Sequence, residues 1–298
     1  MKIKKSFILL LVIFTISLIL SSCKKEPNAD DLAWFFTYIK KSDYKMVQKY
    51  IRKYKNIINS TVNITGLRGN ALLAALSFDD IKMAKLLITN GINVNYRDNF
   101  GATVLQAAIQ AGKLKQVKML LDTGADTEIK NNIGMNIYHY ALYHPSIEML
   151  NLLYKYNKNI DEPDNEGDTP LLVIMSDRRP GLDNITMWFL KKGADFNKVV
   201  AIVPGMVPSY INERRNEVVK YLIAHSPVYR NYVDFKGNTV SYFSVWLEND
   251  KILDYLLENN YYSNAKNKEG ETPLKMAKEI GRNDMAKKIE EYLAQPGK

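Results

Sequence analysis

The chain has 298 residues, of which 46% are hydrophobic and 24% charged, and its formal net charge is +9. This composition supplies enough apolar side chains for a folded core and excludes a wholly disordered chain. The single cysteine excludes an internal disulfide and any zinc site built from several thiolates, and three histidines leave little room for a histidine-rich metal site. We therefore expect no metal and no cofactor.

Residues 1–22 have the features of an export leader. Three lysines lie within the first five residues, and the apolar run over residues 7–20 is shorter than the about 20 residues that span a bilayer core. Leu20-Ser21-Ser22-Cys23 then resembles the lipobox of bacterial lipoprotein signal peptides. The resemblance implies that the leader is removed before Cys23 and that this cysteine carries a diacylglyceryl group. The alternative is an uncleaved membrane anchor with an incidental thiol.

Residues 23–29 are predicted to be the lipidated cysteine and a short polar linker, which would reach about 20–25 Å if extended. Removal of the leader takes away three lysines and lowers the net charge to +6. We interpret this excess as compositional and spread through the chain, whereas a surface that tracks phosphates has clustered charge. Weak attraction to anionic lipid or polymer is the minor alternative. No nucleic-acid partner is expected of an exported chain.

A period of about 33 residues runs through the rest of the chain. One series marks predicted helix ends, because Gly and Asn enter the left-handed conformation most cheaply there. A large apolar residue precedes each member by four positions. The series is Gly91, Gly124, Asn157, Gly193, Ser226 and Asn260, and the apolar residues are Leu87, Leu120, Leu153, Phe189, Leu222 and Leu256.

A second series marks predicted helix starts. Thr or Asn can cap a helix by accepting a hydrogen bond from an unpaired backbone N–H, and a proline directly after the cap costs nothing. A mostly small residue follows five positions later, which lets neighbouring helices approach closely. The starts are Gly69-Asn70-Ala71, Gly101-Ala102-Thr103, Gly134-Met135-Asn136, Gly167-Asp168-Thr169-Pro170, Gly237-Asn238-Thr239 and Gly270-Glu271-Thr272-Pro273.

Together the two series resemble the ankyrin repeat family, whose pattern is Gly-x-Thr-Pro-Leu-His-x-Ala, two antiparallel helices, and Gly-Ala-Asp before a β-turn. Gly124-Ala125-Asp126 and Gly193-Ala194-Asp195 match the late motif, and Gly112 and Gly281 match the turn between the helices. The resemblance implies an all-α ankyrin-repeat solenoid over residues 30–295, with about eight repeats including capping repeats. It also implies a function in protein–protein binding.

Some repeats depart from the pattern. Residues 30–61 are predicted to form an atypical N-terminal capping repeat, and the fifth repeat carries three extra residues around 178–181. The sixth repeat, about 200–232, is expected to lack its first helix, because Pro204, Gly205 and Pro208 break helices. Its second helix is predicted at 217–224. An exposed terminal helix is predicted at 285–293.

No residue pattern predicts catalysis. His139 stands at the histidine position of the repeat motif, where the resemblance implies a hydrogen bond to the backbone of the turn. His144 and His225 have no nucleophilic residue at a spacing that would bring it beside them, and the sequence contains no catalytic or phosphate-binding motif. We therefore expect a protein that is not an enzyme. An enzyme that uses the irregular region 178–209 is the least favoured alternative, and a buried pair of ionisable groups there would support it.

The turns that precede each helix start are the predicted binding surface. One position in these turns holds Asp or Asn, and it is interpreted as a turn-former. Exposed aromatic side chains beside it are less expected and are enriched in binding hot spots, although packing against the neighbouring turn is the alternative. The predicted contact residues are Tyr96, Arg97, Asn99, Phe100, Lys130, Asn132, Tyr232 and Phe235.

The sequence as a whole predicts a bacterial lipoprotein held in the cell envelope through Cys23, with its body in the periplasm or outside the cell. Lys24, which follows the cysteine where an aspartate could stand, slightly favours the outer membrane of a diderm. The predicted partners are envelope or extracellular proteins with an apolar and acidic surface, facing Arg97 and Lys130. A structural spacer without a single partner is the alternative.

Overall fold

The computed structural model describes residues 24–64, 67–196 and 206–296. The leader and Cys23 therefore lie outside the described residues, as do Pro204 and Gly205. The described helices come in successive antiparallel pairs, and the chain divides into an N-terminal unit that ends at Asp168 and a C-terminal unit that begins at Thr169. No helix in the described ranges is long and apolar enough to cross a membrane.

The N-terminal unit opens with a capping repeat and continues with three helix pairs. We call residues 24–60 the cap, which contains α1 (Ala29–Lys40), α2 (Tyr44–Lys53) and a 3-10 turn (Ile57–Asn59). An antiparallel hairpin follows, β1 (Thr61–Ile64) with β2 (Leu67–Asn70), in which Thr61 pairs with Asn70. The three pairs are α3 (Ala71–Ser77) with α4 (Ile81–Thr89), α5 (Val104–Gln110) with α6 (Leu114–Asp122), and α7 (Ile137–Ala141) with α8 (Ile147–Tyr156).

The C-terminal unit contains four helix pairs and one short extra helix. They are α9 (Pro170–Ser176) with α10 (Asp183–Lys191), α11 (Met206–Asn212) with α12 (Asn216–His225), the short α13 (Pro227–Arg230), α14 (Val240–Trp246) with α15 (Asp250–Glu258), and α16 (Pro273–Glu279) with α17 (Asn283–Leu293).

The predicted helix starts are confirmed. Each predicted cap has an extended backbone, and its side-chain oxygen accepts the backbone N–H three residues later, which satisfies one of the unpaired donors of the first turn. Pro170 and Pro273 occupy the first helical position. The caps are Asn70, Thr103, Asn136, Thr169, Thr239 and Thr272.

The predicted helix ends are confirmed at all six positions, and the left-handed conformation is confirmed at four of them. Gly91, Gly124, Gly193 and Asn260 have positive φ, as the left-handed conformation requires. Asn157 and Ser226 also end their helices, as the residues that directly follow α8 and α12, but the expected left-handed conformation is wrong there, because both residues have φ of −135°. Pro227 favours the extended backbone of Ser226, since helical conformations are disfavoured for a residue before proline. The Asn157 amide instead donates to the Thr127 carbonyl and to Glu128.

The core of each unit lies between its helices. All six large apolar residues of the helix-end series are buried, from 0 to 3% exposed. The small residues predicted to let the helices approach are also buried, which explains why the period is kept at these positions. They are Ala75, Ala108, Ala141, Ser244 and Ala277, and Ile174 is equally buried where the pattern has a larger side chain.

The prediction that the sixth repeat lacks its first helix is wrong. Helix α11 covers Met206–Asn212 and buries Met206, Val207, Tyr210 and Ile211. Pro208 is its third residue, and the backbone N–H groups of a first helical turn have no intrahelical partner to lose. The extra residues of the fifth repeat lie between α9 and α10, where Arg179 pairs with Asp177 at 2.6 Å.

The described part of the segment predicted as a linker is packed against the end of α2. Lys25 forms a parallel bridge with Tyr54, and the backbone N–H of Lys55 donates to the Lys25 carbonyl at 3.0 Å. Asn28 then caps α1, in a reciprocal arrangement with Asp31. The described chain from residue 24 onward is therefore bonded to the end of α2.

Candidate interaction surface

The turns before each helix start, which we call tips, are built around one side-chain oxygen. In the first tip, Asp98 Oδ1 accepts the backbone N–H groups of Phe100 at 2.8 Å and Ala102 at 2.9 Å. The same pair of bonds, to residues two and four positions later, recurs at Asn131, Asp164, Asp234 and Asn267. The turn-former interpretation of this position is confirmed.

Backbone hydrogen bonds join successive tips of the N-terminal unit. The N–H of Asn132 donates to the Phe100 carbonyl at 2.9 Å, and that of Asn165 donates to the Ile133 carbonyl at 3.1 Å. Side-chain amides repeat the pattern, from Asn132 to the Asn99 carbonyl at 3.3 Å and from Asn165 to the Asn132 carbonyl at 3.1 Å. The tips therefore lie side by side, and their relative positions are fixed by the backbone.

Two glycines allow this close approach. A Cβ on Gly101 would lie 2.2 Å from the side-chain oxygen of Asn132, and a Cβ on Gly134 would lie 2.5 Å from the backbone nitrogen of Asn165. Both residues also have positive φ. A side chain at Gly134 would meet the backbone of the next tip and force the two tips apart, whereas one at Gly101 would displace the side chains of Asn132 and Arg97 that join the tips.

Arg97 and Lys130 hold the tips together. Arg97 donates from Nε to the Gly101 carbonyl and from Nη2 to the Lys130 carbonyl, both at 2.9 Å. Lys130 donates from Nζ to the Pro163 carbonyl at 2.8 Å and pairs with Glu162 at 2.9 Å. The sequence correctly places the two residues side by side. Their cationic groups are occupied within the protein, so the prediction that they face an acidic partner loses its support.

The predicted aromatic residues separate into exposed and packed ones. Phe100 is 59% exposed and Phe235 is 82% exposed, whereas Tyr96 is only half-buried. Tyr232 is 9% exposed and packs against Phe243, with ring centroids 6.3 Å apart. The expectation of an exposed Tyr232 is therefore wrong, and the alternative of internal packing holds there.

Sequence reasoning missed Ile133. Its side chain is 60% exposed, and it stands one repeat after Phe100, at the same position of the next tip. The signal was available in the register, because 33 residues separate the two. An isolated isoleucine is usually assigned to the core, which is why the pattern alone did not single it out.

The tips of the N-terminal unit are acidic. Segments 93–103, 126–136 and 159–168 contain eight acidic residues and two basic ones, and both basic residues are engaged between tips. Three of the carboxylate residues, Asp126, Glu128 and Glu166, are exposed. The whole set is Asp98, Asp126, Glu128, Asp161, Glu162, Asp164, Glu166 and Asp168. This charge favours a basic partner over the acidic one expected from the sequence.

In the C-terminal unit the tip around Asp234 bonds to the tip around Asn267. The backbone N–H of Lys268 donates to the Lys236 carbonyl at 2.8 Å, and Lys236 pairs with Glu269 at 3.3 Å. Phe235 is 82% exposed in this tip, and Val233 beside it is 53% exposed. Its neighbours are a mixture of charges, unlike the acidic tips of the N-terminal unit.

The histidines have structural contacts. His139 is 2% exposed, with Nδ1 beside Asn136 and Nε2 at 2.9 Å from the Asp168 carbonyl, and its burial lowers its pKa below the usual value. This is the backbone contact implied by the resemblance. Nδ1 of His144 lies 2.6 Å from the Gln110 carbonyl, and His225 stacks on Tyr221.

The irregular region contains one notable ion pair. Arg215 is buried, pairs with the half-exposed Asp183 at 2.6 Å, donates to Thr186 at 3.0 Å and lies 4.0 Å from the Tyr210 ring centroid. These contacts brace α10 and α11 against α12. Because Asp183 is half-exposed, the pair is not the buried pair of ionisable groups that would have supported an enzyme. Within the described ranges, no group of three or more His, Cys, Asp or Glu residues could hold a metal ion.

Comparison with known proteins finds ankyrin repeats. A family model described as ankyrin repeats in three copies matches residues 36–131. The chain is also 28% identical, over 116 residues, to an ankyrin repeat protein of Acanthamoeba polyphaga mimivirus. That match covers 39% of this chain and 14% of the viral protein, so the chain spans only a small part of its relative.

The predicted fold class, an all-α ankyrin-repeat solenoid, is confirmed by these matches and by the helix pairs. Ankyrin repeats imply a module for protein–protein interaction and are typically not enzymatic.

Proposed function

We propose that this ankyrin-repeat protein is held at a membrane of the bacterial cell envelope through lipid on Cys23 and binds a protein partner across the tips of its N-terminal unit. The observation that carries the binding surface is a pair of exposed apolar side chains, Phe100 and Ile133, on neighbouring tips. The lipobox-like residues 20–23 carry the anchor. Lys24 gives slight support to an outer membrane.

The pair has the composition of a binding hot spot. Binding energy usually concentrates in a few large apolar residues that a polar rim surrounds. Here the rim is supplied by the acidic residues of the tips, three of which are exposed. The expected partner therefore offers an apolar pocket flanked by lysine or arginine, and the acidic rim would speed its association.

The tips are also arranged before any partner binds. The backbone bonds between Asn132 and Phe100, and between Asn165 and Ile133, fix the spacing of successive tips. A surface that is already ordered loses less conformational entropy on association. This rigidity distinguishes the tips from a mobile loop that happens to expose apolar side chains.

Crosslinking in intact cells tests this surface. The double variant Phe100→Ala with Ile133→Ala should reduce capture of the crosslinked partner at least about tenfold, since truncating a hot-spot side chain costs about 2 kcal/mol or more. The variant should remain folded, because both side chains are exposed. The captured proteins are compared by mass spectrometry between wild type and variants.

A matched control truncates two exposed aromatic side chains away from the tips. Phe78 and Tyr143 are about half exposed. They lie just after the C-terminal ends of α3 and α7, in the turns between the two helices of a pair and away from the tips. Phe78→Ala with Tyr143→Ala should leave capture unchanged. Normal capture by the folded tip variant, or loss of capture in the control alone, would exclude the tips as the binding surface.

A further inference from the structure

The excess positive charge of the chain is concentrated in the cap. Residues 24–60 contain nine lysine and arginine residues and four acidic ones, a net charge of +5. Residues 23–298 together have a net charge of +6, so the cap holds nearly all of the excess. The interpretation that this charge is spread through the chain is therefore wrong.

Three cations line one exposed face of α2. Lys45, Lys49 and Arg52 follow a spacing of four and three residues, which places them on the helix face opposite the buried Val47 and Ile51. All three are exposed, and α2 contains no acidic residue. Among the described residues, none of the three has an ion-pair partner.

A row of aromatic side chains runs from α1 to α2. Trp34 is 52% exposed and stacks on Tyr38 at 6.0 Å between ring centroids. Tyr38 contacts Tyr50 at 5.4 Å, and Tyr50 contacts Tyr54 at 5.3 Å. The ammonium of Lys53 lies 4.6 Å from the Tyr54 ring centroid. Trp34 is the exposed end of this row, whereas Tyr38 and Tyr50 are half-buried and Tyr54 is buried. An exposed Trp on a lysine-rich surface favours a membrane–water interface.

The chain enters the cap next to this row. Lys24 donates from Nζ to the Ile51 carbonyl at 3.2 Å, and Lys25 is bridged to Tyr54. Cys23 is the residue before Lys24, and one residue spans at most about 3.6 Å. Lipid on Cys23 would therefore hold the end of α2, with the exposed Arg52 and Lys53, close to the headgroup layer of the membrane.

The acidic residues of the cap are few, and most are engaged. Glu26 pairs with Lys55 at 3.5 Å, Asp31 accepts the Tyr54 hydroxyl, and Asp43 caps α2 by accepting the Met46 N–H. Asp30 is exposed in the first turn of α1. The exposed cations of α2 and of the Lys24–Lys25 segment outnumber them, so an anionic surface is attracted to the cap.

We propose that the cap docks on anionic lipid headgroups through Trp34, Lys45, Lys49, Arg52 and Lys53, and that this second contact orients the N-terminal unit on the membrane. The proposal rests on the lipid anchor of the proposed function. An acyl anchor alone fixes one point of the protein and leaves its orientation free. A basic surface beside the anchor adds the second signal that peripheral proteins use.

Depth-dependent fluorescence quenching tests the docking on the lipidated full chain. The protein is reconstituted in vesicles of phosphatidylcholine with an equal share of phosphatidylglycerol, and in vesicles of phosphatidylcholine alone, each doped with brominated lipid. The fluorescence of Trp34 should be quenched in the anionic vesicles. The variant Trp34→Phe should show no such quenching, although it still contains the fluorescent Trp188 and Trp246. Raising salt to about 1 M, which shortens the Debye length to about 3 Å, should also remove it.

A charge-matched pair of variants separates docking from general charge. Lys45→Gln with Lys49→Gln and Arg52→Gln should abolish the quenching of Trp34 while the protein stays on the vesicles. The control removes three exposed lysines from the second helices of other helix pairs, Lys85→Gln with Lys115→Gln and Lys155→Gln, and should retain the quenching.

A lipidated protein bound to anionic vesicles without quenching of Trp34 would overturn the docking and leave the anchor intact. A mature chain whose Cys23 carries no lipid would overturn the anchor, and the docking proposal with it.

Discussion

His139 shows how one buried side chain ties repeat structure to pH. Its ring joins Asn136, the residue that caps the start of α7, to the Asp168 carbonyl, and it is almost fully buried. Burial lowers its pKa in the folded state below the value of about 6.5 that it has in an unfolded chain. The unfolded state therefore binds a proton more readily than the folded state.

The sign of the pH dependence follows from this difference. The contribution of neutral His139 to stability is fully present above about pH 6.5 and is lost as the pH falls below it, by up to about 1.4 kcal/mol per pH unit. His139→Gln should therefore lose less stability than the wild type between about pH 7 and pH 5. Urea unfolding at both pH values measures the difference, and parallel pH profiles for the two proteins would show that another group is responsible.

At the scale of the helix, two asparagines in the same position of the repeat have opposite roles. Asn260 ends α15 with φ of 58°, a conformation that glycine adopts at lower cost. Asn157 ends α8 with an extended backbone, and its amide donates to the Thr127 carbonyl and to Glu128 at 2.9 Å. Sequence alignment treats the two residues as equivalent, whereas their backbones differ.

Glycine substitution should therefore change stability in opposite directions. Asn260→Gly should stabilise the protein by about 0.5–1 kcal/mol, because the left-handed conformation no longer opposes a Cβ. Asn157→Gly should destabilise it by about 1–3 kcal/mol, through lost hydrogen bonds and greater backbone freedom in the unfolded chain. Chemical denaturation of the two single variants decides the matter, and shifts of the same sign would contradict this account.

The features that the sequence predicted well are set by local chemistry. The helix starts capped by Thr103 and Asn136 follow from short motifs whose geometry needs no distant partner. Helix α11 was missed because the effect of Pro208 depends on where the helix begins. In the first turn a proline is tolerated, whereas further along it would break the helix, and the sequence does not show where α11 begins. The occupied cations of Arg97 and Lys130 depend on carbonyl groups of other tips, so only the structure could reveal them.

For the whole molecule, charge and attachment work together in the proposed function. The cap has a net charge of +5, while the three tip segments of the N-terminal unit have two basic and eight acidic residues. An anionic membrane would attract the first surface and repel the second. The same charge distribution that would dock the cap would thus keep the tips free for a basic partner, provided that Cys23 is lipidated.

The anchor itself gives the last prediction. Cys23→Ala should leave the chain with its leader uncleaved and without lipid, because the thiol is the only group in the lipobox that can form the thioether. Mass spectrometry and metabolic lipid labelling report the two steps directly, and detergent phase partitioning reports the loss of an acylated form. Ser22→Ala is the matched control, since alanine keeps the small side chain before the cysteine and should allow normal processing. A Cys23→Ala protein with the mass, lipid label and partitioning of the wild type would show that the membrane is reached by another route. A wild type that keeps residues 1–22 and lacks lipid would instead support the uncleaved anchor.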